Sequence, residues 1–360
     1  MKATRISKPA LYQPKPLRQV ELAKLLEWYQ SRQRVLPWRT DASGYRVWVS
    51  EIMLQQTQVT TVIPFFNQFI ERFPDVKSLA MAKESQVLAS WSGLGYYSRA
   101  RNLHQSAQII TSEYDGEFPK TREALLALPG IGPYTVGAIR SIAFSEPEPL
   151  LDGNVERVVG RLFAIDKDDH KRTNHWAAST YIMKFLSKRG FDPSDINQSL
   201  MEFGALHCTQ RSPQCVGCPL QKTCKAFSID CVENFPIKKV RPKKVKLTET
   251  RYLIRNRKNQ ILVRISLADR WRKGCFDLPL LSELGENFSV AGNSKPNKKI
   301  IIKLVVTNHE ISRKIIQWSG SVRAPQNRPQ IKFRWVSRSE IDENEIPVGA
   351  PLKKSIRAFL

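Results

Sequence analysis

The chain has no apolar run approaching the ~18 residues that a membrane-spanning helix requires. Its first residues, MKATRISKPALYQPKP, lack the apolar core of a secretory signal, although they are basic and free of acids up to Glu21. They read as an N-terminal arm over 1–19. No internal repeat or low-complexity tract is present, which excludes solenoid and array architectures. Acidic residues are scarce: 33 Asp and Glu stand against 57 Lys and Arg, a formal net charge of +24. Such an excess suits a polyanion, and nucleic acid is the usual one.

The surplus is uneven. Residues 243–360 hold 25 Lys and Arg against 10 Asp and Glu, and a basic run with Pro242, KKVRPKKVK at 238–246, precedes most of them. Pro242 blocks a helix, so 231–246 reads as a linker between two domains. Residues 20–230 are mostly helical in pattern. Apolar residues recur every three to four positions over 20–30, 51–70, 98–114 and 173–190. Beyond the linker, 251–256, 260–265, 299–306, 313–320 and 331–337 read as short strands, and PLKKSIRAFL closes as a helix. The expected architecture is an all-α domain over 20–230 followed by an α+β domain over 247–360.

Cys208, Cys215, Cys218 and Cys224 form a C-x6-C-x2-C-x5-C run. Four thiols packed this closely in a chain of 360 residues suit a metal centre better than a disulfide framework, either tetrahedral zinc or an iron–sulfur cluster. Zinc ribbons pair two short knuckles, and here only the central pair is tight. The uneven spacing therefore favours a loop wrapped around the larger [4Fe–4S] group. The remaining Cys231 and Cys275 need no partner, which fits a reducing cytosol.

In TREALLALPGIGPYTVGAI, Thr121 can cap one helix, Gly130 and Gly132 can form a tight turn, and Pro133 suits the first position of the next helix. Backbone N–H groups converging at such a turn make a phosphate seat that is indifferent to base sequence. Asp152, before Gly153-Asn154, can cap a helix and remain ionised, while Glu51 lies among Val47, Trp48, Val49, Ile52 and Met53, an apolar setting that raises a carboxyl pKa. One neutral acid and one carboxylate is the division of labour of a glycosidase.

Together SEIMLQQTQV (50–59), LPGIGPYTVGAI (128–139), LDGNV (151–155) and the cysteine run resemble the helix-hairpin-helix DNA glycosylases with an iron–sulfur loop, and within them the adenine glycosylases of the MutY type. The resemblance is dense over 20–230 and looser beyond. It implies a monofunctional enzyme that removes adenine opposite 8-oxoguanine or guanine in double-stranded DNA, acting as a monomer in the bacterial-type cytoplasm at the nucleoid. It implies that Glu51 protonates adenine and Asp152 stabilises the sugar cation, with Tyr134 and Asn154 orienting the aspartate and its water. Bifunctional relatives carry lysine where Tyr134 stands, so no strong lyase activity is expected. The same resemblance places Arg39 near the adenine pocket, Gln56 in the duplex beside the mispair, Leu94 and Tyr96 on the lesion side, and Gly130 and Gly132 on the backbone. It makes 247–360 a nudix-like recognition module without the acidic nudix helix. There Asn308 and His309 occupy the place of a lesion-reading aromatic-Ser-His triplet, with Asn replacing Ser. A thymine or uracil mismatch glycosylase, or an inactive lesion-binding protein, are the rival readings.

Overall fold

The computed structural model describes residues 19–165, 172–236, 244–266, 273–284, 298–306, 309–319, 325–327 and 329–359. In chain order the helices are α1 (Gln19–Arg32), α2 (Pro37–Thr40), α3 (Gly44–Leu54), α4 (Val59–Arg72), α5 (Val76–Met81), α6 (Glu84–Ser90), α7 (Ser98–Glu113), α8 (Arg122–Ala127), α9 (Pro133–Ala138), α10 (Gly153–Phe163), α11 (Thr173–Ser187), α12 (Pro193–Leu206) and α13 (Lys225–Ser228). A π-helical turn, Ile139–Ala143, continues α9. Strands β1 (Val245–Arg255), β2 (Ile261–Ser266), β3 (Phe276–Asp277), β4 (Lys298–Val306), β5 (His309–Ser319) and β6 (Ile331–Val336) follow, with α14 (Leu281–Leu284), α15 (Arg338–Asp342) and α16 (Ala350–Arg357). Among the described residues no helix is long and apolar enough to cross a membrane.

The chain forms two compact units that interleave in sequence. One joins Met1–Ile52 to Phe118–Lys239; the other joins Met53–Glu117 to Val240–Leu360. In the first, α12 packs on α1 and α10, and the apolar stripe Val155, Val158, Val159 and Leu162 of α10 is buried. Those spacings of three and four are one face of a helix. Asp152 caps α10 by accepting from the Val155 N–H, and Thr121 caps α8 by accepting from Ala124. In the hairpin between α8 and α9, Gly130 takes the positive φ (+79°), whereas Gly132 is extended (φ −110°, ψ 178°) and serves as the N-cap before Pro133.

The second unit combines α4–α7 with the sheet. The expected continuous helix over 51–70 is broken at Gln56, whose φ is +58°. Gln58 is extended (φ −72°, ψ 145°) and serves as the N-cap of α4, so a fresh start there separates α3 from α4. The sheet order is β3-β2-β1-β5-β4, with β6 on β2. β1 and β5 run parallel from Val245↔His309 to Arg255↔Ser319, and the other pairs are antiparallel. One face buries Leu253, Val263, Ile302, Leu304, Ile311 and Ile315 with Leu352 and Ile356 of α16. Arg313 is fully buried there, held by Asp277 through two hydrogen bonds of 2.8 Å and by Glu249.

Candidate active site and cysteine loop

Glu51 lies on α3 and is buried, as are Val47, Trp48 and Ile52 of the same helix. Burial raises its carboxyl pKa from 4.5 to about 7; the Tyr134 hydrogen bond and Arg39 pull it down, and the Asp152 carboxylate pushes it up. The Tyr134 hydroxyl, at the second position of α9, donates to Glu51 Oε2. Burial, then the charges of Glu51 and Asp152, push the phenol well above its ordinary value. The same hydroxyl lies 3.8 Å from the Met201 sulfur.

Asn154 reaches the aspartate: its side-chain amide donates to Asp152 Oδ2 at 3.0 Å, while Oδ1 accepts from the Val155 N–H at 2.7 Å. Burial raises the pKa of Asp152, and these donors oppose the rise. Asn154 is fixed in turn by Arg157, which donates to its Oδ1 at 2.9 Å and to the Cys208 carbonyl at 2.7 Å. Behind it the backbone of α12 approaches closely. A Cβ on Gly204 would stand 2.7 Å from the Asn154 Cβ and 2.8 Å from its carbonyl oxygen.

Arg39 is anchored by a residue that the sequence reading missed. Its Nη2 donates to Glu202 at 3.0 Å, and Arg34 grips the same carboxylate through Nε and Nη2 at 2.8 Å each. Glu202 is 1% exposed. Burial alone would raise its pKa; the hydrogen bonds from Arg34 and Arg39 outweigh burial and hold it at about 2. Its available signal was an acid between Leu200 and Phe203 on the buried side of α12.

The side chains of Cys208, Cys215, Cys218 and Cys224 line one pocket together with Arg161 and His207. Arg161 is 1% exposed; its Nη1 donates to Cys208 Sγ at 3.3 Å and to the Thr209 carbonyl at 2.6 Å. Burial pushes the Cys218 thiol up to about 12, and burial followed by neighbouring cysteines raises Cys215 and Cys224 against some local donors. Among the described residues no group of three or more His, Cys, Asp or Glu surrounds a single ion position. The four cysteines line one pocket, and the buried Arg161 guanidinium donates to one of their sulfurs. Four cysteine donors are the ligand chemistry that an iron–sulfur group takes. Arg211, Lys222 and Lys225 are exposed around the loop.

In the other unit, Gln56 is exposed at the turn between α3 and α4. Leu94 is buried, while Tyr96 is 40% exposed with φ +48°. Arg39, Glu51, Tyr134, Asp152 and Asn154 fall in the first unit, and Gln56, Leu94, Tyr96 and His309 in the second. Asn308 lies outside the described residues. His309 opens β5, half-buried and in register with Val306 and Val245.

Residues 49–181 match the model of the HhH-GPD superfamily base excision DNA repair proteins. The helical part of the chain has this fold, followed by a sheet-containing C-terminal part.

Particular relatives are adenine DNA glycosylases. That of Buchnera aphidicola (subsp. Baizongia pistaciae) is 40% identical over 223 residues, covering 58% of this chain and 61% of the relative. That of Homo sapiens is 42% identical over 217 residues, covering 56% and 38%. The chain thus spans less than two thirds of the curated relatives' length. A thermostable thymine-DNA glycosylase superposes with a TM-score of 0.51 at 25% identity, covering 58% of this chain and 95% of its own. Endonuclease III in a non-covalent DNA complex superposes at 0.50 with 24% identity, over 58% and 94%, a likeness of fold.

Proposed function

We propose that the chain is a DNA glycosylase of base excision repair that hydrolyses the N-glycosidic bond of adenine mispaired with 8-oxoguanine or guanine. The observation that carries this reading is Glu51: buried, joined to Tyr134, and holding its proton up to about pH 7. Adenine is a poor leaving group until a ring nitrogen is protonated, and Glu51 supplies that proton. As the bond breaks, its electron pair leaves with the base and the sugar becomes cationic. The Asp152 carboxylate, ordered by Asn154 and the start of α10, stabilises that charge until water adds. Tyr134 has no amine to form a Schiff base, so the abasic product stays unnicked.

Arg39 belongs to the adenine pocket in this reading, Gln56, Leu94 and Tyr96 to the opposite side of the mispair, and Gly130 and Gly132 to the phosphate seat. The C-terminal part is a nudix-like recognition module that reads the lesion with Asn308 and His309. Cys208, Cys215, Cys218 and Cys224 would hold a [4Fe–4S] cluster, whose iron–thiolate bonds would brace the loop. The enzyme would act as a monomer on nucleoid DNA. The domain plan of the reading runs from an arm over 1–19 through a glycosylase domain over 20–230 and a linker over 231–246 to the module over 247–360.

The test is base release from a panel of duplexes holding adenine, thymine or uracil opposite each base, scored by alkaline cleavage. Adenine release opposite 8-oxoguanine and guanine is the expected result. Release of thymine or uracil alone would assign the mismatch class, and binding without release an inactive lesion binder.

A further inference from the structure

The segment Gly93-Leu94-Gly95-Tyr96 carries three positive φ angles, +117° at Gly93, +71° at Gly95 and +48° at Tyr96. For tyrosine the left-handed region is unfavourable and persists only where surrounding contacts impose it. The contacts come from three sides. Trp91, fully buried, donates its indole N–H to the Gly95 carbonyl at 3.1 Å. Arg99 donates to the carbonyls of Leu94 and Gly95 at 3.3 and 3.4 Å, with its guanidinium 5.5 Å from the Tyr96 ring centroid. The same guanidinium donates to the Met53 carbonyl at 3.0 Å and to Thr57 Oγ1 at 3.4 Å, the two sides of the other left-handed turn, at Gln56.

The third side is the sheet part. Ser92 and Tyr97 bracket the segment, and both hydroxyls donate to one acceptor, the carbonyl of Val348; the Tyr97 bond is 2.8 Å. Ser92, Tyr97 and Val348 are all buried. Val348 bridges to Phe276 of β3, and nearby Arg101 of α7 donates to the Lys273 carbonyl at 2.6 Å. The turn is therefore tied at both ends to a single peptide group of the C-terminal part.

We propose that Ser92, Tyr97 and Arg99 are positioning residues through which the C-terminal part and the Gln56 turn hold the Leu94–Tyr96 turn in its DNA-binding conformation. This rests on the proposed placement of Leu94 and Tyr96 against the mispaired duplex. The C-terminal part thereby contributes to affinity mechanically, in addition to any base contact of its own. Arg99 acts by its planar fork, which serves four acceptors at once; lysine offers the charge without that geometry.

The experiment uses the full chain with Ser92→Ala/Tyr97→Phe together, Tyr97→Phe alone, which keeps the ring in place, and Arg99→Lys. Amide exchange at 93–97, Kd for a duplex with adenine opposite 8-oxoguanine, and the single-turnover rate at saturating protein are measured. The double variant should exchange faster at 93–97 and weaken Kd about tenfold, as for two lost neutral hydrogen bonds, with the saturating rate within about threefold. Tyr97→Phe should show a smaller change of the same kind, and it decides the matter if the double variant does not fold. Arg99→Lys should also accelerate exchange at the Gln56 turn. Unchanged exchange, or faster exchange with unchanged Kd, overturns the proposal. Neither readout needs base release, so a native protein that binds but releases no adenine would fail the proposed function alone.

Discussion

The Tyr134 hydroxyl donates to the Glu51 carboxylate across 83 residues of sequence, and both groups are buried. This pairing puts a neutral donor, rather than an amine, against the residue proposed to protonate the base, and it opposes the rise in the Glu51 pKa that burial causes.

Glu51 keeps its proton in the folded chain up to about pH 7, against an ordinary 4.5. As the pH rises between these values the unfolded chain loses the proton and the folded chain retains it. The stability attached to Glu51 is thus full below pH 4.5 and lost by about pH 7. Glu51→Gln should melt higher than the native protein at pH 8, with the gap closing toward pH 5 by calorimetry. Base release should drop by ~10²-fold or more while duplex affinity stays within a few-fold. Ordinary turnover in this variant would remove Glu51 from the acid role.

Tyr134→Phe deletes the hydrogen bond that lowers the Glu51 pKa. The pH at which base release declines should therefore move upward, as read from single-turnover rates between pH 6 and pH 9. Borohydride should trap no strong covalent adduct with the native protein. Efficient trapping would mean that a lysine performs lyase chemistry.

Asp152 caps α10 and is the carboxylate proposed to stabilise the sugar cation. Asn is as good an N-cap as Asp, so Asp152→Asn should keep the cap, lose the Asn154 hydrogen bond, and slow release ~10²–10³-fold. Asp152→Ala should add a loss of about 1 kcal/mol in stability from the missing cap. Equal rates for native and Asn proteins would leave Asp152 as a cap alone.

Purified protein should absorb broadly in the visible and contain iron in cluster stoichiometry. Cys218→Ser should lower the yield of folded protein more than it alters the chemistry of what survives. Colourless, active protein with stoichiometric zinc would replace the iron–sulfur assignment.

His309→Ala and Asn308→Ala should each narrow the preference for 8-oxoguanine over guanine opposite adenine, by ~1–3 kcal/mol if they contact the base. Removing 247–360 should also flatten the salt dependence of binding, given the basic excess of that segment. A flatter slope with unchanged preference would make the segment an electrostatic clamp.

Local chemistry is legible in the sequence itself. Thr121 and Asp152 read as helix caps because a short acceptor side chain serves N–H groups two or three residues on, and both caps are present. Helices at 19–32 and 98–113, the β runs and the cysteine spacing follow from equally short-range patterns. What only the tertiary structure decided joins distant residues: Tyr134 on Glu51, Arg34 and Arg39 on Glu202, Arg161 on Cys208, the parallel pairing of β1 with β5, and the grouping of 53–117 with the sheet. Periodicity tells a residue to be buried but not against what. An acid such as Glu202 reads as a misplaced charge on an apolar helix face until packing brings two arginines to it, because its stability depends on partners about 160 residues away.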